Sequence, residues 1–166
     1  PQAMSMAPAD QRETAMDWKL PRQGACRCGQ VTIEVRAAPM LTMACHCTGC
    51  QKMSASAFSL SVAIPTQGFA VTRGEPVVGG LHGPDVHHYF CPHCMTWMFT
   101  KPEGMDWFVN VRTTMLEGAA DFAPFLETYV SEKLPFAQTG AQRSFEGFPA
   151  LEDYEGLMAA FRQSVE

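Results

Sequence analysis

The sequence has no apolar run approaching the roughly 20 residues that a membrane-spanning helix needs, which excludes a helical span. Basic residues are few and scattered: twelve Lys and Arg lie between Arg12 and Arg162, with no stripe to follow a phosphate backbone, so nucleic acid is not the expected partner. No leader-like apolar stretch stands near the start. Nor is cysteine dense enough for a small disulfide scaffold: seven in 166 residues is about 4%, and an odd number would leave one thiol unpaired. These absences point to the reducing cytoplasm as the compartment. There is no internal repeat, and no low-complexity tract beyond the Met-, Ala-, Gln- and Pro-rich opening. At 46% hydrophobic, the chain is long enough for one domain with a core and too short for two comfortable ones.

What is present is cysteine in three tight clusters: Cys26 and Cys28 as CxC, Cys45, Cys47 and Cys50 as CxCxxC, and Cys91 and Cys94 as CxxC. Zinc and iron hold thiolates best when two or three come from one short loop, because each local pair lowers the entropy lost on closing the site. Seven divides into four plus three. A closed tetrahedral site takes four thiolates, whereas a site that must bind something keeps three protein ligands and leaves one position open. Cys26, Cys28, Cys91 and Cys94 are therefore assigned to a closed structural zinc and Cys45, Cys47 and Cys50 to an open one, giving two zinc ions per chain. The alternatives for the trio are a second structural zinc completed by His46 or His93, and a metal-free thiol cluster.

Geometry constrains the first pair. Strand residues i and i+2 lie roughly 6.5 Å apart, while two sulfurs on one tetrahedral zinc are only about 3.8 Å from each other. Cys26 and Cys28 must sit on a bent strand end, with flanking Gly24 and Gly29 supplying unusual backbone angles. Pro92 fixes one dihedral of the second metal turn. His46 is expected to point outward from its CxC loop as a surface residue, or else to act as a fourth ligand or a base; His93 is read the same way. Lys52, two residues past Cys50, is the nearest cation in sequence for an anionic ligand.

Alternation and turn residues predict strands at 31–35, 57–64, 69–72, 86–91 and 107–111, separated by Pro and Gly. If 86–91 is extended throughout, His87 and Tyr89 share the face of Cys91, where His87 would orient a group near the metal or stand as a partly exposed strand histidine. Tyr154, Leu157, Met158 and Phe161 recur at helical spacing and predict a C-terminal helix that packs on the core. The expected organisation is an extension over 1–21, a zinc-binding β domain over 22–150 and a helix within 151–166. Asp10 and Glu13 suggest a capping box in the extension, which packing on its own domain or on a second subunit of a homodimer would hold in place.

The order GxCxCGxVxxEV (Gly24 to Val35), CHCxxCQK (Cys45 to Lys52) and FCPxC (Phe90 to Cys94) resembles the glutathione-dependent formaldehyde-activating enzyme family. Leu134-Pro135-Phe136-Ala137 and Phe145-Glu146-Gly147-Phe148-Pro149 are similar to its closing segment, so the resemblance runs over roughly 22–150. It implies a mainly β, Mss4-like fold of small antiparallel sheets around a structural zinc. It also implies an S-(hydroxymethyl)glutathione synthase activity, a carbon-sulfur lyase by class, with glutathione as the thiol. Cys26, Cys28, Cys91 and Cys94 match the family's structural ligands, and Cys45, Cys47 and Cys50 its catalytic ones. Two departures stand out. Met95 replaces the glycine that usually follows the last CxxC, where a Cβ at positive φ costs about 1 kcal/mol or more, so a reshaped turn is expected. Ala55 stands where relatives often carry the glycine of Ser-Gly-Ser, stiffening that loop.

A zinc with three thiolates acidifies water less than one with three histidines, so hydrolysis is not its best chemistry; it welcomes a further thiol and deprotonates it. Formaldehyde and glutathione fit that preference. The competing classes are a non-catalytic zinc module presenting some of its seventeen aromatics to a protein, and a thiol redox or metal-buffering protein.

Overall fold

A computed structural model describes residues 16–81 and 83–166, so the capping box expected at Asp10 and Glu13 lies outside the described residues. In chain order the strands are β1 (Arg22–Ala25), β2 (Thr32–Val35), β3 (Leu41–Cys45), β4 (Ser59–Pro65), β5 (Phe69–Arg73), β6 (Val77–Gly79), β7 (Val86–Phe90), β8 (Trp97–Pro102), β9 (Phe108–Arg112), β10 (Leu126–Thr128) and β11 (Arg143–Ser144). Two helices join them, α1 (Thr48–Ser54) after β3 and α2 (Tyr154–Ser164) near the end. Among the described residues none forms a helix long and apolar enough to cross a membrane.

The fold is mainly β, as expected, in two sheets. The small one has the order β1-β2-β5 and the large one β11-β10-β3-β4-β9-β8-β7-β6. Pairing is antiparallel except at one edge, where β10 runs parallel to both β3 and β11. Each of the five predicted strands forms within two residues of its expected bounds, and the C-terminal helix expected over 151–166 forms at Tyr154–Ser164. Strand β2 shows why: Ile33 and Val35 point inward and are fully buried while Thr32 and Glu34 alternate outward. Strand β4 lies between β3 and β9, buried from both sides, which blurs its alternation without destroying its β-branched character.

One core lies between the sheets, where Val31, Ile33 and Val35 meet Val62, Ile64, Met98, Phe99, Val109 and Val111. Phe99 is clasped there, with Tyr89 stacked at 4.7 Å and Phe69 edge-on at 4.9 Å between ring centroids. Cys26 and Cys91 belong to this same buried cluster, so the first cysteine group is anchored in core. A second core gathers Leu41, Phe125, Leu126 and Phe161 beneath α2. Trp18 bridges the two, stacking on Phe122 at 5.3 Å and reaching Phe161 at 6.2 Å. Arg22 fixes this segment, bonding Trp18 O, Glu117 O and the Asp121 carboxylate.

Candidate metal centres and the cleft beside them

The first cysteine group is assembled from two turns. Cys26 and Cys28 lie in the turn joining β1 to β2, closed by Gly29 N–H donating to Cys26 O at 3.0 Å, with Gly29 at φ +78°. This is the expected bent strand end. Gly24 has another reason to be glycine: a Cβ there would stand 2.7 Å from Met115 O, so close packing, not an unusual φ, excludes a side chain. Cys91 and Cys94 come from the turn between β7 and β8, which closes through Met95 N–H to Cys91 O at 2.9 Å. Thr96 ties the turns together, its Oγ1 accepting from Arg27 N–H at 3.3 Å and lying 3.1 Å from Cys94 Sγ.

The four sulfurs lie within 4.8 Å of one another. Cys26 Sγ to Cys28 Sγ is 3.6 Å and Cys28 Sγ to Cys91 Sγ is 3.8 Å, close to the roughly 3.8 Å that two thiolates on one tetrahedral zinc require. All seven cysteines are free thiols. The first group therefore fits a four-thiolate metal ion, with no disulfide competing for its sulfurs.

The second group comes from a single passage of chain. Cys45 ends β3, Cys47 caps α1, and Cys50 lies in its first turn. Cys47 Sγ accepts from Cys50 N–H at 3.3 Å, so the cap that starts the helix also places two sulfurs side by side. The three sulfurs lie within 4.8 Å of one another, and no histidine joins either group among the described residues. Hydrogen bonding within the trio divides the thiols: the bond from Cys50 holds Cys45 well below the ordinary thiol range, and the same bond pushes Cys50 up. A set of three soft donors in one loop fits a thiophilic ion with a position to spare.

His46 overturns the expectation of an outward-facing residue. Its side chain is 0% exposed, and Nε2 lies 2.8 Å from Glu127 Oε2. The cause is the parallel ladder: β10 runs alongside β3, His46 N–H donates to Thr128 O at 3.0 Å, and Glu127 is brought beneath the loop. Glu127 also accepts from Thr139 at 2.7 Å, Ser144 at 2.8 Å and Lys133 at 3.2 and 3.3 Å. Burial raises the pKa of Glu127, but these hydrogen bonds outweigh it and hold the carboxyl down to about 2. His46 thus donates from Nε2 to a carboxylate and clamps the middle of the CxC loop. His93, by contrast, is exposed in its turn.

Residues 21–132 match the family described as glutathione-dependent formaldehyde-activating enzyme. The chain belongs to that family. The match takes in all seven cysteines and stops short of the tail segments near 134–149 that also resembled it. Among solved structures, a crystal structure of a Rhodobacter sphaeroides protein, a structural-genomics target, is similar with a TM-score of 0.49 and 22% identity, covering 58% of this chain and 88% of that one. Comparison with curated proteins returns no match.

Three further placements bear on the expectations. A β-bulge between Tyr89 and Phe90 breaks the alternation before Cys91, and His87 stands as the partly exposed strand histidine, 3.3 Å from Glu103. Met95 does not reshape its turn; it occupies the left-handed region itself at φ +57°, as Ala55 does at φ +48° where it caps α1. Lys52 is exposed on α1 and does not line the neighbouring cleft. That cleft, of about 370 Å³, is bordered by Ser54 and Ser59 on the trio's side, by Met95 and Thr96 on the other group's side, and by Trp97 and Arg112. Arg112 escaped the sequence analysis because a lone arginine at the end of a short apolar strand carries no motif.

Proposed function

We propose that this chain is a zinc-dependent carbon-sulfur lyase that joins glutathione to formaldehyde, with Cys26, Cys28, Cys91 and Cys94 holding a structural zinc and Cys45, Cys47 and Cys50 an open one. The observation that carries the reading is the inequality of the two sulfur groups, four in one and three in the other, within a chain of this family. When bound, zinc on the trio supplies a thiophilic Lewis-acid position that takes an added thiol and favours its thiolate.

The residues do the rest by holding and placing. Cys45, Cys47 and Cys50 grip from one loop, and His46 with Glu127 keeps that loop in position. The cleft alongside admits the body of a tripeptide-sized thiol, since its volume lies within the roughly 300–1,000 Å³ usual for small-molecule sites. In the reaction the thiol sulfur bonds to the carbonyl carbon, the carbonyl π pair moves to oxygen, and the proton given up by the thiol ends there. The product is S-(hydroxymethyl)glutathione. Because this addition needs little covalent assistance, bringing the two reactants together is the main contribution. His46 is buried against Glu127 and does not line the cleft, so no side chain is assigned as a general base. The cytoplasm, where free thiols and glutathione coexist, is the compartment this chemistry needs.

The test has two parts. Metal analysis of the purified protein is expected to give about two zinc ions per chain, and hemithioacetal formation from glutathione and formaldehyde is expected to be faster with the protein than with a Cys47→Ala variant. Equal rates with and without the protein, or one zinc per chain with the trio free, would sink the reading.

A further inference from the structure

Arg112 is 8% exposed, yet no carboxylate pairs with it among the described residues. Its guanidinium carbon stands 4.1 Å over the Trp97 ring, and Nη1 donates to Ser59 Oγ at 3.5 Å. Nε is buried without a partner. A buried guanidinium with an unsatisfied donor is costly and calls for something to meet it. The attraction of Cys45 and Cys50 supplies part of the compensation, and the charge persists at neutral pH although burial lowers the pKa to about 10. A net charge from the trio does not satisfy a directional N–H.

The placement is specific. Ser59, which accepts from Arg112, is the cross-strand partner of Cys45 between β3 and β4, so the guanidinium and the trio are linked through one residue. Arg112 lines the cleft together with Trp97, Thr96 and Ser54. An arginine already held by an aromatic face and one hydroxyl has its fork oriented, and a carboxylate is the group whose two oxygens match that fork.

We propose that Arg112 is the carboxylate-binding residue of this cleft, selecting thiols that carry a carboxylate and setting their sulfur toward Cys45, Cys47 and Cys50. The inference rests on the reading of the trio as an open metal site that takes a thiol. It adds a charge requirement: neutral thiols of the same size are poor ligands. The same fork gives no advantage to an amide, which offers a single acceptor oxygen and its own donors.

The test compares the zinc-loaded protein's affinity for 3-mercaptopropionate and for its neutral counterpart 3-mercaptopropionamide by calorimetric titration. Wild type is expected to bind the carboxylate about tenfold or more tightly than the amide, and Arg112→Gln is expected to bind the two alike, with Arg112→Lys recovering part of the preference. The wild-type comparison needs no variant to fold. Equal affinity in wild type overturns the inference while leaving the open thiol site intact. Retention of the full preference in a folded Arg112→Gln also overturns it. Failure of both thiols to bind overturns the open-site reading and this inference with it. A loss of affinity in Arg112→Gln that is the same for both thiols reduces Arg112 to a counter-charge for the trio and overturns its role in selection.

Discussion

The two cysteine groups use the same atom type and are built in opposite ways. The quartet joins two turns 63 residues apart in sequence and is rooted in the inter-sheet core through Cys26 and Cys91. The trio comes from six consecutive residues, takes no part in either hydrophobic core, and is surrounded instead by buried polar groups: His46, Glu127 and Arg112. A cross-link between distant turns pins down the tertiary structure, while a local loop stapled by hydrogen bonds holds its own shape. The contrast teaches which cysteine group ties distant parts of the fold together and which is held by its own loop.

The strongest break in that contrast is a pair of cysteine substitutions. Cys91→Ala removes a fully buried quartet thiol and is expected to lower stability by about 5 kcal/mol or more, measured by chemical denaturation, with loss of the zinc proposed for the quartet. Cys47→Ala is expected to cost only about 1–2 kcal/mol while removing the zinc and the activity proposed for the trio. Similar stability losses in both variants would erase the distinction.

Next comes the polar network under the trio. Glu127→Gln leaves Lys133 without its carboxylate and weakens the hold on His46, at an expected cost of about 3 kcal/mol. The folded carboxyl titrates at about 2, well below the ordinary glutamate value of about 4.3. Its stabilisation is therefore complete above that ordinary value and is lost as pH falls from there through about 2. Wild type should lose stability over that acid window, and Glu127→Gln should lose less, which denaturation curves at pH 6, 4 and 3 would reveal. An unchanged acid profile would remove Glu127 from the account.

The smallest effects sharpen the comparison at the two strained positions. Met95→Gly in the quartet's turn and Ala55→Gly after the trio's helix each relieve a left-handed side chain. Each is expected to stabilise by about 0.5–1 kcal/mol, the steric relief being partly offset by the entropy of glycine. A rise in melting temperature checks this, and a fall would mean that the Met95 or Ala55 side chain packs more favourably than the left-handed backbone costs.

Much of the fold was legible in local pattern. Period-two alternation gave β2, because a strand with one buried face must alternate, and turn residues bounded the runs that form β4, β5, β7 and β9. That reading missed β3, whose Leu41, Thr42 and Ala44 are all buried, and the two-turn α1, too short to show a helical period. It also missed the parallel β10, since a three-residue strand leaves no signal and its partner lies some 83 positions earlier. At the site, the cysteine spacing revealed both sulfur groups, because metal ligands arrive as local pairs and triplets. The orientation of His46 and the presence of Arg112 were not legible, since both depend on which strand lies alongside.

The amino-acid sequence by itself determined that seven thiols divide into four and three, that the chain folds mainly as β strands, and that it belongs to this family. Spacing along a chain is a local property, and so are alternation and turn chemistry. Only the tertiary structure decided that Glu127 sits under the CxC loop and that Arg112, with a buried and unmet Nε–H, lines the cleft. Both follow from strand order, and strand order is set by long-range packing that no short window of sequence contains.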